Sequence, residues 1–420
     1  MVSTDGTGIG VAAECVAAGL GFVSVAEAQE RVTLTLRALA GELPGWSLPR
    51  EIQNAWVPTF MSGSTGASAS PGTYASDSTG LLSVGILFAK TYFRNVAPGT
   101  AATLNIARLV DKIVTPIKFA NMFCSTVGKS VSNGSTIVPW LFEDGGGCSD
   151  GQLPAADGYY YYSELHWFFW MGYHAGCGSS NTSSSGGGGG GGTTASANAP
   201  CKNAAIAEMW DAFQGRRNRL DYTYGGQQLL TLWPSYVTQL PYYLMHPFNS
   251  DPAYNAAFKA QWLAEWAYYN SSGFYAGDDG RYGLGAGPTP AWCAGGAGYI
   301  ADRMTNATDS QACRMYSPYA VAGYAPVEPE TIRTHLLALL ASGESVVPIT
   351  DAGTGAAYEI LWRKSLLQQD PLITCAWGHE CGITAVDFAA EFFGLASLRL
   401  GADFFVTHTN HFPNDPQRIP

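Results

Sequence analysis

The sequence predicts an all-α fold in which about twelve helices pair as six hairpins around a closed ring, the (α/α)6 toroid. Helical periodicity recurs along the 420 residues, whereas the alternation typical of strands is scarce. Segments such as GLLSVGILFA are apolar on all sides, as expected for inner helices that are buried on both sides. Bundles and solenoids would instead show heptads or a fixed repeat, and the sequence shows neither.

Capping residues mark the starts of the first helices. Ser24 and Glu27 form a capping box that opens a helix over 24–40. Thr100 precedes a helix over 101–114. Apolar periodicity predicts further helices over 7–20, 76–93, 159–173, 204–217, 236–245, 319–323, 329–341 and 356–367.

Two later helices begin at similar signals. Asp251 followed by Pro252 places an N-cap residue before a proline at the first helical position, so the helix should reach residue 269. Thr384 caps a long helix that runs to residue 400.

Charge is scarce in this chain. Charged residues make up 13% of the sequence, against about 25% in an average protein. The net charge of −11 provides no basic field for a phosphate backbone, which excludes nucleic acid as a partner. No apolar run reaches the length of about 18 residues that a membrane span needs. We expect a monomer.

A Gly- and Ser-rich segment at 178–200 interrupts the chain. Its composition is that of a flexible linker, which would separate two domains. Because the helical pattern is of the same kind on both sides, we interpret it as a loop insertion within one domain that spans 1–420.

Cysteines and sequons bear on the compartment. Three cysteine pairs are spaced as if to close loops, and four N-x-S/T sequons are present. A secreted or extracytoplasmic location is expected, although no signal peptide is recognised at the start. The cysteine pairs are 177 with 201, 293 with 313 and 375 with 381, and the sequons begin at Asn133, Asn181, Asn270 and Asn306.

Aromatic side chains beside isolated carboxylates suggest a carbohydrate ligand. Sugar faces stack on rings while hydroxyls bond to acids, although a ring-rich core explains many of the aromatics. Glu164 lies in GYYYYSELHWFFWMGY, where Tyr162 and Trp167 would desolvate it and raise its pKa, as a general acid requires. Alternatively, Glu164 is a first-turn acid that the helix dipole favours.

Other acids carry competing interpretations. Asp77, in GTYASDSTGLL, either caps a helix or contributes to chemistry, and Asp387 stands at capping-box spacing from Thr384. Asp278 and Asp279 lie in a Gly- and Tyr-rich loop that either binds a sugar or is an ordinary turn. Glu359 and Asp351 are the remaining acids in aromatic or Gly-rich surroundings.

No cofactor or metal is predicted. The sequence contains no P-loop, no G-x-S-x-G elbow, no HExxH and no CxxC pair. His408 and His411, in THTNH, are either metal ligands or, as we prefer, part of a polar terminal tail.

Several segments, in register along most of the chain, resemble the β-1,2-glucanases of glycoside hydrolase families 144 and 162 and the related glycoamylase-like domains. The DGTG motif at 5–8, SDSTGLLSVGILFAKTYF and YYSELHWFFWMGY are similar to the family's opening motif, Asp-Thr helix and Tyr-x-Glu helix. The segments from Thr231, Asn249, Gly273 and Ser317 resemble further family motifs. The sequence departs from the family at GHECGITAVDFAAEFFGLASLRLG.

The resemblance implies a toroidal glycoside hydrolase that cleaves β-1,2-glucan, in an endo and inverting manner. Glu164 would be the proton donor, Asp77 would bind sugar at the cleavage site, and Glu359 or Asp351 would be the base. Alternatives are another carbohydrate-active enzyme of the same fold, such as a phosphorylase or an epimerase, and a glycan-binding protein without activity. The expected substrate-binding residues are Tyr162, Trp167, Trp210, Tyr236, Asp279, Tyr282 and Tyr319.

Overall fold

The chain is mainly helical, as the sequence predicts, and the strands between its helices are short. None of the helices in the described part of the chain is long and apolar enough to cross a membrane. The structure, a computed structural model, describes residues 2–119, 124–125, 136–137, 141–143, 171, 222–271, 280–289, 298–304, 314–350, 354–366 and 385–409.

Eleven helices lie in these segments. They are α1 (Thr4–Leu20), α2 (Val25–Leu39), α3 (Ser76–Val96), α4 (Ala101–Val114), α5 (Tyr236–Leu244), α6 (His246–Asn249), α7 (Pro252–Ser271), α8 (Pro318–Ala322), α9 (Pro329–Ser342), α10 (Ala385–Leu400) and α11 (Asp403–His408).

Fourteen strands of two to five residues form seven antiparallel pairs within the same segments. Strand β1 pairs with β2, β3 with β6, β4 with β5, β7 with β8, β9 with β10, β11 with β14 and β12 with β13. The strands are β1 (Val2–Ser3), β2 (Phe60–Met61), β3 (Thr73–Ala75), β4 (Cys124–Ser125), β5 (Thr136–Ile137), β6 (Leu141–Glu143), β7 (Tyr222–Tyr224), β8 (Gln227–Leu229), β9 (Ala286–Thr289), β10 (Gly298–Ala301), β11 (Met315–Tyr316), β12 (Val346–Thr350), β13 (Ala357–Leu361) and β14 (Lys364–Ser365).

The chain divides into two compact units. The Gly- and Ser-rich segment lies outside the described residues, so its interpretation as an insertion in one domain over 1–420 stays a prediction. Unit 1 comprises Met1–Val11, Gln29–Arg216 and Asn410–Pro420, and unit 2 comprises Ala12–Ala28 and Arg217–Thr409.

Capping side chains begin the helices where the sequence predicts. The Ser24 hydroxyl accepts the Glu27 N–H at 3.1 Å, and the Thr100 hydroxyl accepts the Thr103 N–H at 3.2 Å. Asp251 accepts the N–H of Ala253 at 2.9 Å. These bonds satisfy backbone donors that the first helical turn leaves free, and they confirm the predicted starts of α2, α4 and α7.

The helix predicted over 356–367 is wrong. This segment forms β13 and β14, and β13 pairs with β12 in register from Val346 opposite Leu361 to Thr350 opposite Ala357. Both strands contain β-branched or aromatic residues, which favour extended structure once a partner strand is present. Cross-strand pairing therefore outweighs the apolar spacing that suggested a helix.

The polar tail predicted around His408 is also wrong. His408 ends α11, is 9% exposed and packs edge-on against Phe404, with ring centroids 4.8 Å apart. Burial lowers the pKa of this imidazole to about 4, so it is neutral in the folded protein near pH 7. His411 lies outside the described residues.

Glycines let helices approach closely in each unit. In unit 1 a Cβ on Gly85 would lie 2.0 Å from the carbonyl oxygen of Gly8, so α1 and α3 touch through their backbones. In unit 2 a Cβ on Gly394 would lie 2.0 Å from the carbonyl oxygen of Ala322, which brings α10 against α8. Such contacts exclude any larger residue unless the helices separate.

Candidate active site

Asp77 stands in the first turn of α3, in unit 1. The N-cap of this helix is Ala75, which offers no side-chain hydrogen bond, so Asp77 is not the capping residue that one interpretation of the sequence suggested. Asp77 Oδ1 accepts the N–H of Ser78 at 2.7 Å, and the side chain is partly exposed. Its second oxygen, Oδ2, has no hydrogen bond among the described residues.

The pKa of Asp77 is unusually high for an aspartate. Burial, and then the negative charge of Asp5, raise its pKa to about 7 against the opposing effect of the hydrogen bonds from Ser78. A carboxyl that titrates near neutral pH is suited to proton transfer in catalysis.

Asp5 is the acidic neighbour of Asp77. It stands in the first turn of α1, and its Oδ1 accepts the N–H of Gly6 at 2.7 Å. Neither carboxyl takes part in an ion pair with another described residue. The backbone contact of Gly8 with Gly85 fixes α1 against α3 and thereby holds the two first turns together. Unit 1 therefore contains a carboxyl pair built from the DGTG and SDSTG motifs.

Glu265 is a fully buried acid on α7, in unit 2. Its Oε2 accepts the Ser235 hydroxyl at 2.7 Å and the Leu284 N–H at 3.2 Å, and the Tyr324 hydroxyl donates to Oε1. Burial raises the pKa of Glu265 to about 7, although these donors lower it. Because both oxygens are occupied, this carboxyl serves to join the elements that carry its donors.

An aromatic chain lies beside this acid. The Trp262 indole donates to the Tyr282 hydroxyl at 2.7 Å, and that hydroxyl lies 3.2 Å from Nδ1 of His335. Tyr282, predicted to bind substrate, is thus 2% exposed with its hydroxyl engaged in the interior of unit 2.

The other described tyrosines of the predicted binding set are also buried. The Tyr319 hydroxyl bonds to the backbone of Ala286, and its ring lies 5.0 Å from that of Trp362. Tyr236 begins α5 and is buried as well. A sugar-binding role for these side chains stays a prediction.

Asp302 and Arg363 form a buried ion pair. Arg363 Nη2 donates to Asp302 Oδ1 at 2.8 Å, Nη1 donates to Oδ2, and Nη1 also reaches the Ser317 hydroxyl at 3.2 Å. The Gly285 N–H donates to Asp302 Oδ2 at 3.1 Å. A bidentate pair with further hydrogen bonds compensates the burial of two charges and joins the segment after β10 to the segment between β13 and β14.

Helix α10 carries two buried acids one turn apart, Asp387 and Glu391. Burial, and then the charge of Asp387, raises the pKa of the Tyr319 phenol, which places Asp387 near that ring. Burial also raises the pKa of Glu391 to about 8, against a hydrogen bond from the Leu361 backbone.

The predicted catalytic residues divide between described and undescribed parts of the chain. Asp77 has the perturbed carboxyl described above, whereas Glu359 is exposed on β13. The remaining predicted site residues, Glu164, Asp351, Tyr162, Trp167, Trp210 and Asp279, lie outside the described residues.

Sequence reasoning missed Glu265 and Glu391 and treated Asp5 only as part of a motif. A usable signal existed for the first two, because both interrupt apolar runs, LAEWAYY and FAAEFFG, within helices. No such signal existed for the pairing of Asp5 with Asp77. In the segments that the structure describes, no group of three or more His, Cys, Asp or Glu side chains is arranged to hold a metal ion.

No protein-family model matches the sequence, and a search of curated proteins also found no match. Solved structures match nearly the whole chain. A candidate glucoamylase from Bacteroides uniformis aligns with a TM-score of 0.63 at 17% identity, over 99% of this chain and 86% of that one.

Two endo-β-1,2-glucanases align similarly. The enzyme from Chitinophaga pinensis, solved with sophorotriose and glucose, gives a TM-score of 0.63 at 16% identity over 99% of this chain and 85% of its own. The enzyme from Talaromyces funiculosus, solved with sophorose, gives 0.56 at 12% identity, over 96% and 75% respectively. The chain therefore has the fold of these proteins, and the resemblance found from its motifs is confirmed at that level.

Proposed function

We propose that the protein is a glycoside hydrolase that cleaves β-1,2-glucan, with its helices closed into an (α/α)6 toroid. The observation that carries the proposal is the fold match to endo-β-1,2-glucanases along 96–99% of the chain, in the families that the sequence motifs resemble. A secreted location, a monomeric state and the absence of a cofactor belong to the same proposal.

Asp77 supports a role in sugar chemistry. A partly exposed carboxyl with a pKa near 7 accepts a hydrogen bond from a sugar hydroxyl when ionised and donates one when protonated. Its neighbour Asp5 enlarges the acidic surface that a polyhydroxyl ligand would meet. We assign Asp77 to binding of the sugar at the cleavage site.

The proposed reaction inverts the anomeric centre. Glu164 protonates the glycosidic oxygen while a second carboxylate removes a proton from water on the opposite face of the sugar. Water then forms the new bond to the anomeric carbon as the glycosidic bond breaks. The two carboxyls of an inverting pair stand about 6.5–9.5 Å apart, or farther if a substrate hydroxyl relays the proton.

Hydrolysis of a panel of linear and cyclic β-glucans tests this function. We expect reducing ends from β-1,2-glucan without phosphate in the buffer, and an α-anomeric product observed by NMR before mutarotation. A phosphate requirement would indicate a phosphorylase instead, and binding without turnover would indicate a glycan-binding protein.

The proton donor is tested separately with Glu164→Gln. We expect a variant that folds like the wild type, by circular dichroism, and hydrolyses at less than about a hundredth of the wild-type rate. Glu330→Gln is a suitable comparison, because Glu330 is an exposed acid in the first turn of α9. A Glu164→Gln protein that keeps a tenth of the activity would remove Glu164 as the acid.

A further inference from the structure

A buried acid in unit 2 has an oxygen without a partner. Glu391, on α10, is 4% exposed and receives a hydrogen bond from the Leu361 backbone. Its Oε2 has no hydrogen-bond partner among the residues that the structure describes. Buried polar atoms in folded proteins almost always have one, so this oxygen is unusual.

A buried donor without a partner lies in the same part of the fold. Trp362 follows Leu361 in the chain and is 4% exposed, and its indole Nε1 forms no hydrogen bond within the described part of the chain. Its ring belongs to a cluster with Tyr319, against which Phe388 packs, and Phe388 precedes Glu391 by one helical turn on α10. The free carboxyl oxygen and the free N–H therefore belong to one junction of α10 with the end of β13.

A hydroxyl group offers both the donor that Glu391 Oε2 lacks and the acceptor that the Trp362 N–H lacks. A hydroxyl oxygen accepts from an indole N–H and donates its own proton to a carboxylate. Water and a sugar hydroxyl share this chemistry.

Two other buried carboxyls of unit 2, those of Glu265 and Asp302, are already committed. Both oxygens of Glu265 accept hydrogen bonds from protein donors, and Asp302 is paired with Arg363. Of the two predicted bases, Glu359 is exposed to solvent and Asp351 lies outside the described residues. Glu391 differs from the three described acids because it is desolvated and has a free oxygen.

We propose that Glu391 is the general base of the hydrolysis and that the Trp362 N–H holds the hydroxyl on which it acts. This inference rests on the proposed function. In the step, a water O–H bond breaks, its proton passes to Glu391 Oε2, and the water oxygen bonds to the anomeric carbon. The glycosidic bond breaks at the same time, and its oxygen takes the proton of Glu164. Where a substrate hydroxyl occupies the site, it relays the proton from water to Glu391.

Burial supports this role. It raises the pKa of Glu391 to about 8, so the carboxylate, once formed, binds a proton more strongly than an exposed glutamate does. Proton transfer from water to such a carboxylate is more favourable for the same reason.

Azide rescue tests the assignment. Glu391→Gln keeps an acceptor for the Leu361 N–H, and we expect it to lower kcat on β-1,2-glucan by about a hundred-fold or more. In Glu391→Ala, sodium azide should restore turnover and give an α-glucosyl azide, since azide needs no base and attacks with inversion. Glu265→Gln is the matched control, because this acid is equally buried but has no free oxygen, and azide should not change its rate.

A second variant separates the base from a structural role. Trp362→Phe keeps the buried ring and removes only the N–H, which donates to no described residue, so thermal stability should not fall. We expect kcat to drop several-fold, and an unchanged kcat would overturn the proposed site. This test holds even if Glu391→Gln fails to fold.

Two further outcomes would overturn the base assignment. These are a tenth or more of the wild-type rate in Glu391→Gln, and a folded Glu391→Ala protein that azide does not rescue. A wild-type protein that hydrolyses no β-glucan would instead refute the proposed function on which the inference rests.

Discussion

Gly85 of α3 lies against the backbone of Gly8 of α1, so closely that a Cβ on Gly85 would stand 2.0 Å from the Gly8 carbonyl oxygen. Where the two helices cross, a Cβ added to Gly8 would also stand only 2.5 Å from the Cα of Leu82. Both helices carry an aspartate in the first turn, and the negative charge of Asp5 raises the pKa of Asp77. A contact that only glycine permits therefore underlies the carboxyl pair.

Gly85→Ala should separate α1 from α3. The added methyl group meets backbone rather than a movable side chain, so we expect a loss of about 2–4 kcal/mol in the free energy of unfolding. Gly10→Ala is the control, since a Cβ there meets no atom within 4 Å and should stabilise α1 by about 0.5–1 kcal/mol. Urea denaturation measures both, and equal effects would argue against the close crossing.

Asp77→Asn should change how stability depends on pH. The pKa of Asp77 is about 7 in the folded protein against 3.8 as its ordinary value, so the folded state binds the proton more tightly than the unfolded chain. The stabilisation is complete below about pH 4 and is lost as pH rises to about 7. Asparagine does not ionise. The free energy of unfolding of the variant, relative to that of the wild type, should therefore rise by about 2 kcal/mol from pH 5 to pH 8.

Thermal unfolding at those two pH values checks the Asp77 prediction. Glu330→Gln offers a comparison, because Glu330 is an exposed first-turn acid of α9 and its effect should not vary in this way. A Tm difference for Asp77→Asn that stays constant from pH 5 to pH 8 would contradict the raised pKa.

Asp5→Asn should lower the pKa of Asp77. Burial is the larger cause of the raised value and the charge of Asp5 the second, so the shift should shrink without disappearing. NMR titration of the Asp77 carboxyl carbon, in the presence and absence of the substitution, measures it directly. An unaltered titration midpoint would show that the two carboxyls do not interact.

Asp302→Ala should be severely destabilising. It leaves the Arg363 guanidinium buried and unpaired, and we expect a loss of about 3–5 kcal/mol. Glu344→Ala breaks the more exposed pair with Arg281 and should cost no more than about 1 kcal/mol. If chemical denaturation shows similar losses for the two variants, the burial of the Asp302 pair is not what stabilises unit 2.

Local signals predicted most helix starts well. Ser24, Thr100 and Asp251 bond to backbone donors within three residues of themselves, so the sequence contains the whole interaction. The helix predicted around Glu359 is wrong because the structure of this segment depends on pairing with Val346–Thr350, which no local pattern reveals.

The sequence by itself determined the helical class of the protein, the starts of its capped helices and the position of Asp77 at a loop-to-helix junction. Only the tertiary structure decided that Asp5 lies beside Asp77, that Tyr319 is buried, and that one oxygen of the buried Glu391 has no hydrogen-bond partner among the described residues. The physical reason is the distance along the chain between the residues that interact. Caps and periodicity depend on neighbours within one or two turns, whereas burial and charge interactions depend on residues that folding brings together from distant parts of the chain.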